Sequence, residues 1–280
     1  MARAFARAGF SVGQIFCGPV RTLTPEKVIG QMKRTWTKFW RGFVQKHVSN
    51  RVLIWFLNLL AAKPNMLQRA RADNRELQRA AITAMAEKGK YKEGTIINNQ
   101  NEWGNVIFGG GKNSSMAYSG CEIIAVYNAL VSLGEQMTGC GLADLIAAFE
   151  RRGAVRKGEW GVTPAAVYDY MKQRFGNDRT VSWFVPGRGR QPDDNVDQIG
   201  RQHAVLIATV YNNADDITGQ IHTVCIAKQA DGTFAVQNAG YRDQGGNYAE
   251  KGGFKTLSEA VSGISANPQL ISCVCIADAG

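Results

Sequence analysis

Histidine is scarce in this chain: among 280 residues there are only His47, His203 and His222. The six cysteines (Cys17, Cys121, Cys140, Cys225, Cys273, Cys275) show no paired C-x-x-C spacing, so no zinc ribbon or finger is written here. No metal and no organic cofactor is expected. Long apolar runs are missing too. The longest, residues 52–62, is interrupted by Asn58 and falls well short of the roughly 20 residues a bilayer crossing needs. The opening MARAFARAGF lacks the continuous apolar core of a secretory signal. Free thiols in a reducing, cytoplasmic compartment fit this pattern better than a disulfide scaffold. Cys273 and Cys275, two apart in a strand-like run, share one face and read as small core residues.

Acidic residues are scarce only at the front. Residues 1–92 hold 18 Lys+Arg against 4 Asp+Glu, whereas residues 93–280 hold 15 against 19. Two modules are implied: a basic helical region over 1–92 and a domain over 93–280. Residues 1–23 show no period and read as a loose arm. Thr24-Pro25-Glu26 is a helix start, and the run to Val48 spaces Val28, Met32, Trp36, Phe39 or Trp40, and Phe43 as an amphipathic basic helix. Ser49 or Asn50 caps a second helix through Leu60, and Leu67 to Lys88 forms a third. Such a region packs on the rest of the protein, fills a cleft as a propeptide, or docks residues 24–88 on a membrane surface or an acidic partner. Nothing beyond charge suggests nucleic acid.

Gly89 to Gly94 makes a charged connector. The loop Gly109-Gly110-Gly111 lacks the Lys-Ser/Thr ending of a phosphate-binding loop. The centre of the chain is SGCEIIAVYNALVSLG, residues 119–134. Ser119 reads as a cap, Cys121 opens an apolar helix, and Gly134 stops it. A thiol at the positive end of a helix dipole favours the thiolate, and the unpaired N–H groups there suit an oxyanion. Helices over 142–152 and 164–175 follow, with Thr163-Pro164 opening the latter. Strands are expected over 180–185, 203–211, 221–228, 233–238 and 270–277, a polar loop over 186–202, and a Thr256-x-x-Glu259 capping box. Helices first and strands second predict an α+β fold, a helical layer on an antiparallel sheet.

A nucleophile needs a base. His222 lies in an alternating strand that shares its face with Val224 and Ile226. A two-residue loop at Asp231-Gly232 would pair Cys225 with Asn238 and turn Asn238 to the wrong face. A three-residue loop, Ala230-Asp231-Gly232, pairs Val224 with Asn238 and sets Asn238 diagonal to His222, where its side chain can orient the ring. That loop and His222 are the choice here. His203 has no such partner in a neighbouring strand, and His47 falls in the basic helix.

The order Gln100-x-x-Trp103-Gly104, Phe108-Gly109, Ser119-Gly120-Cys121, Asn128-Ala129-Leu130, His222-x-Val224, Asp231-Gly232 and Asn238 resembles bacterial papain-like cysteine peptidases. It is most similar to the branch of bacteriocin-processing, double-glycine leader peptidases, over about residues 95–280. The resemblance implies a papain-like fold, Cys121 as nucleophile, His222 as base, Asn238 as its orienter and Gln100 as oxyanion donor. Gln100 lies farther from the cysteine than that family generally keeps it, and Asn98, Asn99 or Asn101 could substitute. Glu122 stands where the family has glycine, and a carboxylate turned inward there would raise the thiol pKa.

The implied reaction is cleavage of a peptide or protein substrate through a thioester. A deamidase or acyltransferase would use the same intermediate. The competing class is a catalytically dead papain-like module that binds through its basic helices, with a zymogen between the two.

Overall fold

The structure is a computed structural model that describes residues 48–62, 70–110, 115–187, 194–212 and 221–277. The arm over 1–23, the helix expected from Thr24, and His47 lie outside them. The chain divides into compact units 1–41 and 42–280, and the described residues all belong to the second.

Helix α1 (Asn50–Leu59) starts where the sequence predicts, with Ser49 Oγ accepting from the Val52 N–H at 3.4 Å. Helix α2 (Ala70–Glu87) carries Gln78, Ile82 and Met85 into the core. A 3-10 turn spans Gln100–Asn105. A one-turn helix α3 (Met116–Ser119) leads into α4 (Cys121–Ser132), followed by α5 (Gly139–Arg151) and α6 (Pro164–Phe175). Thr138 caps α5 by accepting from the Gly141 N–H at 3.0 Å, and Thr163-Pro164 opens α6 as expected.

Six strands follow: β1 (Val181–Phe184), β2 (Val205–Tyr211), β3 (Ile221–Lys228), β4 (Phe234–Gln237), β5 (Lys251–Phe254) and β6 (Gln269–Ile276). They form one antiparallel sheet in the order β1-β6-β2-β3-β4-β5. Between them lie α7 (Asp194–Gln202) and α8 (Leu257–Ser262). Helix α7 occupies part of what the sequence presents as a polar loop, and β5 has no counterpart among the expected strands. The capping box forms in part: Thr256 Oγ1 accepts from the Glu259 N–H at 3.1 Å, while the Glu259 carboxylate takes the Lys255 N–H at 2.8 Å.

Helix α4 is buried from Cys121 through Leu130. Each large apolar side chain among them contributes roughly 2 kcal/mol by leaving water. With α2, α5 and α6 it covers the sheet face that carries Val205, Ile207, Cys225 and Ala227. The opposite face, with Leu206, Ala208, Val224, Ile226 and Val236, packs on α7 and α8. Cys273 and Cys275 are buried on that second face with their sulfurs 3.6 Å apart, as the two-residue spacing suggests. The class is thus α+β, with helices on both faces of the sheet.

Candidate active site

Cys121 is the first residue of α4. Gly120 is its cap, while the expected cap, Ser119, ends α3 and turns its hydroxyl to the Ser115 carbonyl at 3.4 Å. A side chain at position 120 would meet the Met116 carbonyl oxygen at 2.6 Å, so only glycine lets the two helices abut.

At the thiol the pull of the helix start, where the Glu122 N–H lowers the pKa, is outweighed. Burial, and next the charge of Glu122, push it well above the ordinary thiol range, although a backbone bond from Thr223 pulls it back. Cys121 Sγ donates to Glu122 Oε2 at 3.4 Å. The glutamate points inward and is 5% exposed. Burial raises its carboxyl to about 7, opposed by its own N–H, by the thiol and by the Val162 N–H. Gly161, at φ +74°, makes room for it: a side chain there would lie 2.7 Å from Glu122 Oε2. The segment before it is held in left-handed backbone at Arg156 (φ 47°) and Lys157 (φ 57°). The 156–162 loop is therefore a fitted cradle for one carboxylate.

The hairpin register is the one that a three-residue loop requires. Cys225 pairs with Gln237 and Lys228 with Phe234, and Asp231 Oδ1 takes the Thr233 N–H at 2.9 Å. Asn238 follows β4 in left-handed backbone, φ 61°. Its carbonyl oxygen, rather than its side-chain amide, meets His222 Nε2 at 2.8 Å. A carbonyl can only accept, so Nε2 carries the hydrogen and Nδ1 is left with its lone pair. Burial lowers the His222 pKa, against the pull of that carbonyl, and the ring is neutral at pH 7.

The Asn238 side chain is engaged elsewhere. Its Oδ1 accepts from the Gln100 N–H at 3.2 Å and its Nδ2 donates to Gln100 Oε1 at 3.3 Å. Gln100 Nε2 in turn donates to the Ala117 carbonyl at 3.0 Å, and Asn98 Oδ1 takes the Asn238 N–H at 3.0 Å. Gln100, proposed as an oxyanion donor, is a clamp that ties the end of β4 to the approach to α4. Asn99 donates to Glu102. His203 is committed: Nδ1 bonds the Ile199 carbonyl at 2.7 Å and Nε2 meets Ser182 Oγ at 3.2 Å.

Among the described residues no hydrogen bond joins Cys121 to His222. Alternation along β3 gives His222 the face of Val224 and Ile226, whereas α4 lies against the face of Cys225 and Ala227. The Thr223 backbone, next to His222 in the chain, hydrogen-bonds the Cys121 thiol. Among the described residues no group of three or more His, Cys, Asp and Glu could hold a metal.

A cleft of about 680 Å³ opens beside this cluster, lined in part by Lys90, Lys92, Asn98, Trp103, Arg242 and Tyr248. Asn98 belongs both to the cleft and to the Asn238 clamp. Sequence reasoning missed the cleft and the Glu122 cradle. Gly161-Val162 carried a signal only through Gly161, one glycine among many. In comparison with known proteins, no family model, curated protein or solved structure matches the chain.

Proposed function

We propose that the chain is a papain-like thiol hydrolase that cuts a peptide bond, with Cys121 as nucleophile and His222 as base. The observation that carries this reading is the 2.8 Å bond from His222 Nε2 to the Asn238 carbonyl. It fixes the tautomer whose bare Nδ1 can take a proton, and burial keeps the ring in the neutral form a base requires. In the resting state the thiol proton lies toward Glu122. For reaction Nδ1 of His222 takes that proton, and sulfur attacks the substrate carbonyl carbon. His222 then gives the proton to the departing amine, and water hydrolyses the thioester with the same ring as base.

The test is digestion of an unbiased peptide mixture read by mass spectrometry. Wild-type protein should cut, Cys121→Ala should not, and His222→Ala should be slower by roughly two to four orders of magnitude. Asn238→Gly keeps the carbonyl and the left-handed backbone, so it should retain most activity where a side-chain orienter would not. Undiminished cutting by Cys121→Ala would overturn the reading. Products shifted by a deamidation or a new acyl bond, with no chain cut, would move the same thioester chemistry to another acceptor.

A second reading, a disarmed scaffold that only binds, is favoured by the Cys121–Glu122 bond and by the lack, among the described residues, of a hydrogen bond joining Cys121 to His222. It predicts that iodoacetamide labels Cys121 no faster than the core thiol Cys225 in folded protein.

A further inference from the structure

The outer face of α1 is built unlike a soluble surface. Its inner side is seated: Asn50 Nδ2 donates to the carbonyls of Pro186 and Leu270, both at 3.3 Å, Ile54 is buried, and Thr163 Oγ1 donates to Asn58 Oδ1. The outward stripe at positions 51, 52, 55, 56, 59 and 60 follows the helical repeat, and five of its six residues are large and apolar. Val52 is 51% exposed, Trp55 60%, Phe56 47% and Leu59 55%. Exposed side chains of this size on one face of one helix mark an interaction site.

The neighbouring 156–161 loop continues this surface. The backbone from Leu60 to Ala62 is stitched to the segment 153–156, with Arg156 N–H to the Leu60 carbonyl at 3.2 Å and Ala62 N–H to the Ala154 carbonyl at 2.9 Å. Trp160 is exposed in this loop, with the Arg156 guanidinium 4.7 Å over its ring. Arg51, Arg151, Arg152 and Arg156 are exposed on these segments, and two of them are paired, Arg152 with Asp169 at 3.0 Å and Arg156 with Glu159 at 4.0 Å. The surrounding sequence, residues 1–92, holds 18 Lys+Arg against 4 Asp+Glu.

We propose that α1 and the loop at Trp160 form a docking face for an anionic phospholipid surface. Trp and Phe insert at the level of the headgroups, and the arginines meet lipid phosphates. The charge decides the occupant: four exposed arginines against two acids leave this face net positive, which an anionic bilayer matches and a second copy of the same face does not. The inference is independent of the hydrolytic reading, since it uses neither Cys121 nor His222.

The experiment is co-sedimentation of the full chain with vesicles of phosphatidylcholine alone and of phosphatidylcholine and phosphatidylglycerol in equal parts. Binding should favour the anionic vesicles, weaken as salt is raised, and shift the tryptophan emission to the blue. The double variant Trp55→Ser with Phe56→Ser, whose fold circular dichroism would check, should bind roughly tenfold or more weakly. Arg51→Gln should weaken binding to anionic vesicles only. Equal binding of the double variant would overturn the proposal and assign the attraction to basic residues elsewhere. No vesicle binding, with a doubled mass in light scattering that the double variant loses, would overturn it in favour of a second copy.

Discussion

Two buried glutamates, Glu150 on α5 and Glu122 on α4, sit in the same helical layer and are used differently. Glu150 Oε1 accepts from Asn74 Nδ2 at 3.3 Å, Gln78 Nε2 at 3.0 Å and the Gly109 N–H at 2.7 Å. These donors bring α2 and the glycine loop onto α5, and the carboxylate is a fastener. Glu122 has the Val162 N–H, its own N–H and the Cys121 thiol, a poorer set for a buried charge. Its carboxyl titrates near neutrality, so it can change state. What a buried carboxylate does depends on the donors around it, not on its depth.

The largest effect should come from Glu150→Ala. It takes the acceptor from the Gly109 N–H and one of two acceptors from each of the Asn74 and Gln78 amides, which keep the Gly109 and Ile107 carbonyls, and about 3 kcal/mol should be lost in urea unfolding. A loss within about 1 kcal/mol would mean that Glu150 is no fastener. Next comes the pH profile of stability. The Glu122 carboxyl rises from 4.5 to about 7 on folding, so the folded chain holds the proton more tightly. Its stabilising effect is complete below about pH 4.5 and is lost as pH rises through about 7. The loss amounts to roughly 3 kcal/mol at most, and Glu122→Gln should flatten this slope.

Gly161→Ala forces a side chain against the Glu122 carboxylate in left-handed backbone and should cost about 2 kcal/mol. Combined with Glu122→Ala, part of that cost should disappear, because the steric term is shared; strict additivity would break the cradle description. Glu122→Gln should also move the onset of Cys121 alkylation to lower pH, since the glutamate charge and hydrogen bond both hold the thiol up. The smallest effect belongs to Asp144→Asn, which removes the exposed ion pairs with Arg75 and Arg79 at the same α2–α5 junction. It should change stability by about 0.5 kcal/mol or less.

Much of the fold was legible because local chemistry dictated it. Ser49, Thr163 and Thr256 stand at helix starts, and Asp231-Gly232 set the hairpin register that brings Asn238 beside His222. Helix α7 was hidden because its segment DNVDQIGRQ is mostly polar and gains its place from Val196 packing under the sheet. Strand β5, KGGF, has neither alternation nor β-branched residues and exists through pairing with β4. Around Asn238, His222 and Gln100 come together through contacts that the sequence did not specify. The inward turn of Glu122 was readable as a risk to the thiol, whereas the replacement of the Asn238 amide by its carbonyl depends on a backbone angle that no side chain announces. Membrane crossing was likewise testable: no described helix is long and apolar enough to span a bilayer.

The strand order has a consequence for synthesis. Strand β6, last of the six along the chain, lies between β1 and β2. Until the ribosome has released residues 269–276, both neighbours present naked edges and the layer beneath α4 cannot close. A nascent chain carrying the whole cysteine helix therefore remains a client for chaperones, and stop codons upstream of Gln269 should yield inclusion bodies rather than a smaller folded product.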